Sequence, residues 1–384
     1  MGLFIPDQKG ELYETTAQLD DRSLRIDVSD RETLGVDAFY GLHDTDDLQS
    51  IYQRNELIVS SLFPPSPAES EFWTPKARVA ARAINQYCFT KKKMHTLTEI
   101  HEYGLSQPLE DTAKEIIANT SPSDREYRDM IDFIGMPAET LSGIFANYQL
   151  RISKLVNDSD IASILGVSRI KKYDPTLLLN NDVYMTIPPN RLEQMGELIF
   201  LILNLTFNWV LSLKDIKEDP DREPIGIIMD ETSALLSRVG GKLTELPQFL
   251  RLARSKYAFA VLAVQSLSGL RSVYSNHEVD DMLSNIRNQV YFDASCDYEL
   301  LSKLAGTTTV QESSYTSGTH GTSTNKSFVD KPVIKPEELI DIQNSGDVAL
   351  MAMDAGGFYR LQRCNYFKDT YYKRILMKKE KQDE

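Results

Sequence analysis

Residues 225–231 read Ile-Gly-Ile-Ile-Met-Asp-Glu, a short apolar run that ends in two adjacent carboxylates. Pro224 precedes it and Thr232 and Ser233 follow, so turn signals bound it on both sides. This predicts a buried strand of a parallel sheet, because a strand covered on both faces needs apolar side chains throughout rather than at alternate positions. In open α/β sheets, ligands bind just beyond the carboxyl ends of such strands, and Asp230 and Glu231 fall there. Paired acids at a strand end suit nucleotide hydrolysis: one carboxylate holds a hydrated Mg²⁺ and its neighbour polarises the attacking water. The same pair also suits the cap and first turn of a following helix, so the rest of the chain must decide.

A chain of 384 residues has room for two domains, or for one large domain carrying an insertion. A net charge of −14 argues against a surface that binds nucleic acid throughout. Cys88, Cys296 and Cys364 lack metal-ligand spacing and read as reduced thiols of a cytosolic protein. No histidine pairs with them at ligand spacing, so no zinc site is expected. The longest apolar stretch, residues 198–213, contains Asn204 and Asn208 and follows Glu197. It is too short and too polar for a membrane span and predicts a buried helix.

The chain opens with strand patterns at 2–7 and 24–28 around a helix at 11–17, a βαβ start. A helical pattern over 43–62 ends at Pro64, Pro65, Ser66 and Pro67, a boundary. From Phe72 to about Ile170, apolar residues recur at helical spacing (Val79, Ala83, Ile84, Tyr87), and Pro108, Pro122, Gly135 and Pro137 break the pattern. This predicts an all-α insertion of several short helices, with more Asp and Glu than Lys and Arg over 85–165. Lys91, Lys92 and Lys93 would touch a phosphate or, more commonly for such a run, form a solvated helix end. Sheet character returns at 182–187, followed by a long helix over 191–213 and the acidic strand. A helix over 243–255 carries Arg251 and Arg254, and a buried strand over 257–264 delivers Gln265 and Ser266. A helix at 278–285 and a strand at 289–292 continue the alternation. Residues 307–326, rich in Thr, Ser and Gly, form an exposed loop or hairpin. A short helix over 332–342, a last strand over 347–353 and a fraying basic tail after Tyr372 complete the chain. Repeated β-α-β order means a mostly parallel sheet with helices on both faces.

A phosphate-cradling Gly-x-x-x-x-Gly-Lys-Ser/Thr loop is missing from these residues: at Gly241-Lys242, Leu236 stands where the first glycine belongs and Leu243 follows the lysine. Three features nevertheless favour nucleotide chemistry. Gln265 ends a strand beside the acidic one, where an amide senses a γ-phosphate or a water. Arg254 is placed to reach a neighbouring subunit's nucleotide as an arginine finger. Residues 232–276 hold Arg238, Lys242, Arg251, Arg254, Lys256 and Arg271 against the single acid Glu245, a face suited to a polyanion.

The order of these parts resembles the type IV secretion coupling proteins, the TraG/TrwB-type conjugation ATPases. The likeness rests on Asp7-Gln8-Lys9-Gly10-Glu11 near the start, Phe72-Trp73 opening the helical insertion, and Val183-Tyr184-Met185-Thr186-Ile187-Pro188 closing it. It continues with the Walker B-like Ile227-Ile228-Met229-Asp230-Glu231, with Ala263-Val264-Gln265-Ser266, with Gly306-Thr307-Thr308-Thr309-Val310 and with Lys331-Pro332-Val333-Ile334. Each motif is short, but together they span nearly the whole chain. Gln8 departs from the family's usual proline.

The resemblance implies an α/β fold: a RecA-like, P-loop-NTPase-type, mostly parallel sheet with an inserted all-α domain. Residues 1–70 and 173–384 would form the nucleotide-binding domain and residues 71–172 the insertion. Asp230 would hold Mg²⁺ through water, with Asp7 and Lys9 also on the cofactor side. Glu231 would be the catalytic base, Gln265 the sensor and Arg254 the finger acting in trans. The cofactors implied are ATP and Mg²⁺, bound tightly only by a complete protein, because the family's Walker A loop and membrane segment precede the point where this sequence begins. The implied partners are the relaxosome or protein substrates at the all-α domain, DNA in a homo-hexameric ring, and components of the secretion channel. The implied location is cytoplasmic, at the inner face of the membrane. The alternative is a catalytically inactive adaptor or assembly subunit. A third reading is a related ring ATPase that pumps DNA or powers pilus assembly.

Overall fold

The computed structural model describes residues 1–19, 21–64, 72–239, 241–292, 298–318, 321–345, 348–352, 357–365 and 368–372. Cys296, the prolines at 65 and 67, residues 347 and 353, and the tail after Tyr372 lie outside them. The chain divides into two compact units, Met1–Met282 and Leu283–Glu384.

In the first unit, β1 (Gly2–Asp7), α1 (Glu11–Thr16) and β2 (Ser23–Asp27) open the chain, followed by the short β3 (Gly35–Val36) and α2 (Leu48–Leu62). Six helices then follow with no strand between them: α3 (Trp73–Thr90), α4 (Leu97–Leu105), α5 (Leu109–Ala118), α6 (Arg125–Ile131), α7 (Ala138–Asn157) and α8 (Ser159–Leu165). The chain returns through β4 (Lys172–Tyr173), which pairs with β3, and enters β5 (Asp182–Thr186) and α9 (Gly196–Ser212). Next come β6 (Ile225–Met229), α10 (Thr232–Val239), α11 (Leu246–Leu252), β7 (Ala258–Leu262), α12 (Leu267–Arg271) and α13 (Asn276–Asn285).

Five strands form one parallel sheet in the order β2-β5-β1-β6-β7. The opening βαβ unit is therefore split: β5, more than 150 residues later in sequence, lies between β1 and β2. The predicted strand over 257–264 is shorter and half-exposed rather than buried. As the last strand in the order, β7 leaves Phe259 at 37% and Val261 at 50% exposure.

The apolar stretch around Asn204 is α9, buried along almost its whole length. Asn204 is tolerated because its amide donates to Ser61 Oγ of α2 at 3.0 Å, while Asn208 faces solvent. Glu197, at the start of α9, is paired with Arg151 and Lys154 of α7, which ties the central helix to the helical segment. No described helix is long and apolar enough to cross a membrane. The helical segment has its own core, including Ala80, Ile84, Tyr87, Ile144 and Tyr148. Trp73 packs so closely on α7 that a Cβ at Gly143 would sit 2.6 Å from its ring, which explains the glycine there. Arg82 of α3 makes a two-pronged bond with Asp129 at 2.7 Å on each prong and also pairs with Glu56 of α2.

The second unit contains β8 (Asn288–Tyr291), α14 (Tyr298–Ala305), β9 (Thr307–Gly318), β10 (Gly321–Pro332), α15 (Pro336–Asn344), β11 (Val348–Ala352) and β12 (Gly357–Leu361). The Thr/Ser/Gly-rich stretch is a regular antiparallel hairpin of β9 and β10. β8, expected to continue the β-α-β alternation, instead pairs antiparallel with β11 in a three-stranded sheet, β12-β11-β8. Ile334, Leu339 and Ile342 form the core of this unit.

Candidate functional site

β1 and β6 are neighbours with Phe4 opposite Ile227, so continuing the register sets Asp7 level with Asp230. Their carboxyl ends open into a cleft of 40 Å³ lined by Asp7, Gln8, Lys9, Glu11, Leu12, Asp230 and Glu231. Two segments more than 200 residues apart in the sequence thus meet at one edge of the sheet.

Asp7 is buried, and its carboxylate is taken up by the backbone. Oδ1 accepts from the N–H groups of Lys9 and Gly10, and Oδ2 accepts from Tyr13 at 2.8 Å. Gly10, with φ at 78°, adopts the left-handed conformation that this turn requires, so Asp7 and Gly10 together aim Lys9 across the cleft. Lys9 Nζ pairs with Glu231 Oε1 at 3.1 Å, and the bond to Glu231 raises the lysine's pKa.

Glu231 is one of three non-glycine residues with positive φ among those described, at 50°. A left-handed glutamate costs about 1–2 kcal/mol. Such strain at a strand end accompanies functional sites. It turns the chain sharply into α10, where Thr232 Oγ1 bonds the Met229 carbonyl and Thr232 N–H bonds that of Ala263. Asp230 is exposed; its Oδ1 accepts the Glu231 N–H at 3.0 Å. Two carboxylates therefore stand at the sheet edge, one facing solvent and one held by a lysine.

The residue that holds this turn in place is Gln8. Its side-chain Nε2 donates to the Asp230 carbonyl at 3.1 Å and to the Glu231 carbonyl at 3.3 Å, and the residue is 7% exposed. In sequence, Gln8 reads only as a departure from a family proline. Its position at the end of β1, level with the acidic pair, was the available signal. Gln8→Leu keeps the size and removes both bonds, so it is expected to lower stability by about 1–2 kcal/mol. Urea unfolding measures this; a loss under about 0.5 kcal/mol would mean the amide does not hold the turn.

Gln265 lies at the same sheet edge, in the turn between β7 and α12, because Ala263 N–H bonds the Met229 carbonyl across the two strand ends. Arg254 lies at the other edge. It precedes β7, whose first residue pairs with Ile225, so the length of a five-residue strand, about 16 Å, separates it from Glu231. Arg254 is exposed, lies past the end of α11 and has no ion-pair partner among the described residues.

The basic segment does not survive as a basic face. Lys242 pairs with Glu278 at 2.8 Å, Arg251 with Asp281 at 3.0 Å and Arg271 with Asp280 at 3.2 Å, all on α13, and Lys256 pairs with Asp215. Lys242 and the Ser275 N–H hold the Glu278 carboxyl below its ordinary value. Two lysines of the triplet are likewise occupied. Lys91 pairs with Asp124, while Lys92 pairs with Glu115 and lies over the rings of Tyr87 and Tyr103.

The residues fit one half of a Mg²⁺–nucleotide site. Asp230 offers an exposed carboxylate for a hydrated cation, and Glu231 is poised beside it. Nothing in the described residues forms the phosphate-cradling loop.

The family model for conjugative DNA transfer in type IV secretory systems matches residues 2–383. No curated protein matches the sequence. Among solved structures, the unbound monoclinic form of the bacterial conjugative coupling protein TrwBdeltaN70 matches with a TM-score of 0.72 at 16% identity, over 94% of this chain and 77% of that one. TrwB bound to the non-hydrolysable GTP analogue GDPNP matches at 0.69 with 15% identity, over 94% and 78%. TrwB with ADP and Mg²⁺ matches at 0.67 with 15% identity, over 94% and 77%. These likenesses show the fold, a RecA-like, mostly parallel α/β sheet.

Proposed function

From the premise that this chain belongs to the conjugative DNA transfer family of type IV secretory systems, we propose that it is the motor region of a coupling ATPase that drives DNA–protein substrates to the secretion channel. The observation that carries the proposal is the pair Asp230 and Glu231 at the carboxyl edge of β6, held by Gln8 and Lys9 from the neighbouring strand end. We assign residues 1–70 and 173–384 to the nucleotide-binding domain and 71–172 to the all-α insertion that recruits the relaxosome or protein substrates. The assembly would be a homo-hexamer around DNA, on the cytoplasmic face of the membrane.

Mg²⁺ and ATP, when bound, supply the cation and the reactive phosphoanhydride. Asp230 would hold the cation through water. Glu231 accepts a proton from the attacking water, which requires its Lys9 partner to move aside. Gln265 orients that water or the γ-phosphate from the end of the next strand, and Asp7 serves the cofactor side indirectly, by fixing the Lys9 turn. Positioning and charge stabilisation make up most of such catalysis.

The test is Mg²⁺-dependent ATP hydrolysis by the assembled protein beside its Asp230→Asn variant. Turnover that vanishes in the variant is expected. A protein that assembles and recruits its partners with no turnover at all would instead be the adaptor. Arg254 stands at the opposite sheet edge from its own Glu231, so any action on a nucleotide is in trans. Arg254→Ala is expected to abolish the assembly-dependent part of the ATPase and leave nucleotide binding by the monomer unchanged. Equal losses in both would reject the trans role.

A further inference from the structure

A cleft of 140 Å³ lies where the turn before α2 meets the turn between α3 and α4, and His43 and His95 both line it. Their Nδ1 atoms face each other at 3.3 Å, although 52 residues separate them, so no ligand spacing shows in the sequence. The other ring nitrogen of His43, Nε2, lies 2.8 Å from Asp37 Oδ2. An ionised carboxylate only accepts, so Nε2 carries the proton and the neutral ring presents a lone pair at Nδ1, toward His95. Asp37 is itself fixed: its Oδ1 accepts the Phe39 N–H at 3.0 Å, and its own N–H donates to the Tyr173 carbonyl. His95 is held as firmly. Lys93 before it takes a left-handed φ of 57°, the His95 ring stands edge-on to Phe89, and Thr96 after it closes a capping box on α4.

We propose that His43 and His95 bind one divalent transition metal of the zinc class through their Nδ1 atoms, with Asp37 as the carboxylate that orients His43. A separation of 3.3 Å is long for a hydrogen bond, whose ordinary range ends at about 3.2 Å. It matches two nitrogens on a tetrahedral centre with bonds of about 2.0–2.1 Å, which stand about 3.3–3.4 Å apart. A carboxylate on the far nitrogen is the usual support of a ligating histidine, because it sets the tautomer and makes the ring a better donor. No third ligating side chain joins them among the described residues, so water completes the shell. Two imidazoles favour zinc, copper or nickel over Mg²⁺ and Ca²⁺, which take oxygen ligands. Lys91 and Lys93 also line the cleft, but Lys91 is paired with Asp124, and the carboxylates of Asp37 and Asp46 outweigh Lys93. His43 precedes α2 and His95 lies between α3 and α4, so the ion would staple the helical segment to the chain that leads into it.

The experiment is calorimetric titration of the full chain with Zn²⁺ in excess Mg²⁺, which occupies carboxylate sites such as Asp230. One Zn²⁺ per chain is expected to bind and to raise the melting temperature, because a ligand of the folded state stabilises it. His43→Gln and His95→Gln should each abolish the binding and the thermal shift, while the circular dichroism of the metal-free protein stays unchanged. Asp37→Asn, which keeps both ligands, should weaken binding by about tenfold or more. His277→Gln, at an exposed histidine on α13, should change neither readout. No binding by the parent overturns the proposal and leaves the pair as a hydrogen bond. Binding unaltered by His43→Gln and His95→Gln overturns it by placing the ion elsewhere on the surface. Unaltered affinity in Asp37→Asn removes the orienting role of that carboxylate.

Discussion

Glu231→Gln is expected to lower ATP turnover by the assembled protein by about a hundredfold or more while leaving Mg²⁺–ATP affinity within about twofold. Glutamine keeps the length of the side chain and the Cβ at the left-handed position, so the turn into α10 is unchanged. What it lacks is a group able to take a proton from water. It also cannot form the ion pair with Lys9, which leaves that lysine free. The two losses are separable: Lys9→Met removes the pair but keeps the base. If Lys9 only restrains Glu231, this variant turns over at least as fast as the parent. Single-turnover hydrolysis beside nucleotide binding makes the distinction, and unchanged turnover in Glu231→Gln would remove Glu231 as the base.

Arg169→Leu is expected to cost about 3–5 kcal/mol of stability. Arg169 is 2% exposed and lies where the helical segment returns toward the sheet. Its guanidinium donates to the carbonyls of Asp27, Val28 and Asp30 at 2.9, 3.1 and 2.8 Å, to Thr33 Oγ1 at 2.8 Å and, through Nε, to Ser163 Oγ. One side chain thereby satisfies the loop that follows β2 and fastens it to the end of α8. Leucine would fill much of the space but leave several buried carbonyls without donors, at about 1–3 kcal/mol each before relaxation. Lysine should rescue little, because an ammonium group cannot spread planar donors over these five acceptors. Urea unfolding followed by circular dichroism measures the loss; a change under about 1 kcal/mol would mean that water replaces the guanidinium.

Much of the fold was legible in local pattern. Residues 225–229 and 182–186 are strands because β-branched and aromatic runs between turn formers have few other stable arrangements. The stretch around Asn204 is a buried helix because two asparagines in an apolar run of that length fit a core helix better than a membrane span. The helical character between Trp73 and Leu165 followed from 3.6-residue spacing interrupted by proline and glycine. At the site, Asp230 and Glu231 were visible as paired acids at a strand end, a pattern with a specific chemical use.

Other features depend on contacts between distant segments, for which a sequence carries no local sign. Gln8 bonds carbonyls 222 and 223 residues away. Asp7 looked like a ligand, and its carboxylate proved to be committed to the backbone of its own turn. The basic excess over 232–276 looked like a face for a polyanion until α13 brought Glu278, Asp280 and Asp281 against it. Pairing of β4 with β3 put Arg169 over the loop after β2, and parallel pairing of β7 with β6 put Arg254 at the far edge from Glu231. The sequence by itself determined most of the longer strands and helices and which acids end the central strand, because periodicity and turn chemistry act over a few residues. Only the tertiary structure decided which charges remain available, because a charge is neutralised by whatever the fold sets within about 4 Å of it, however far away that group lies in the chain.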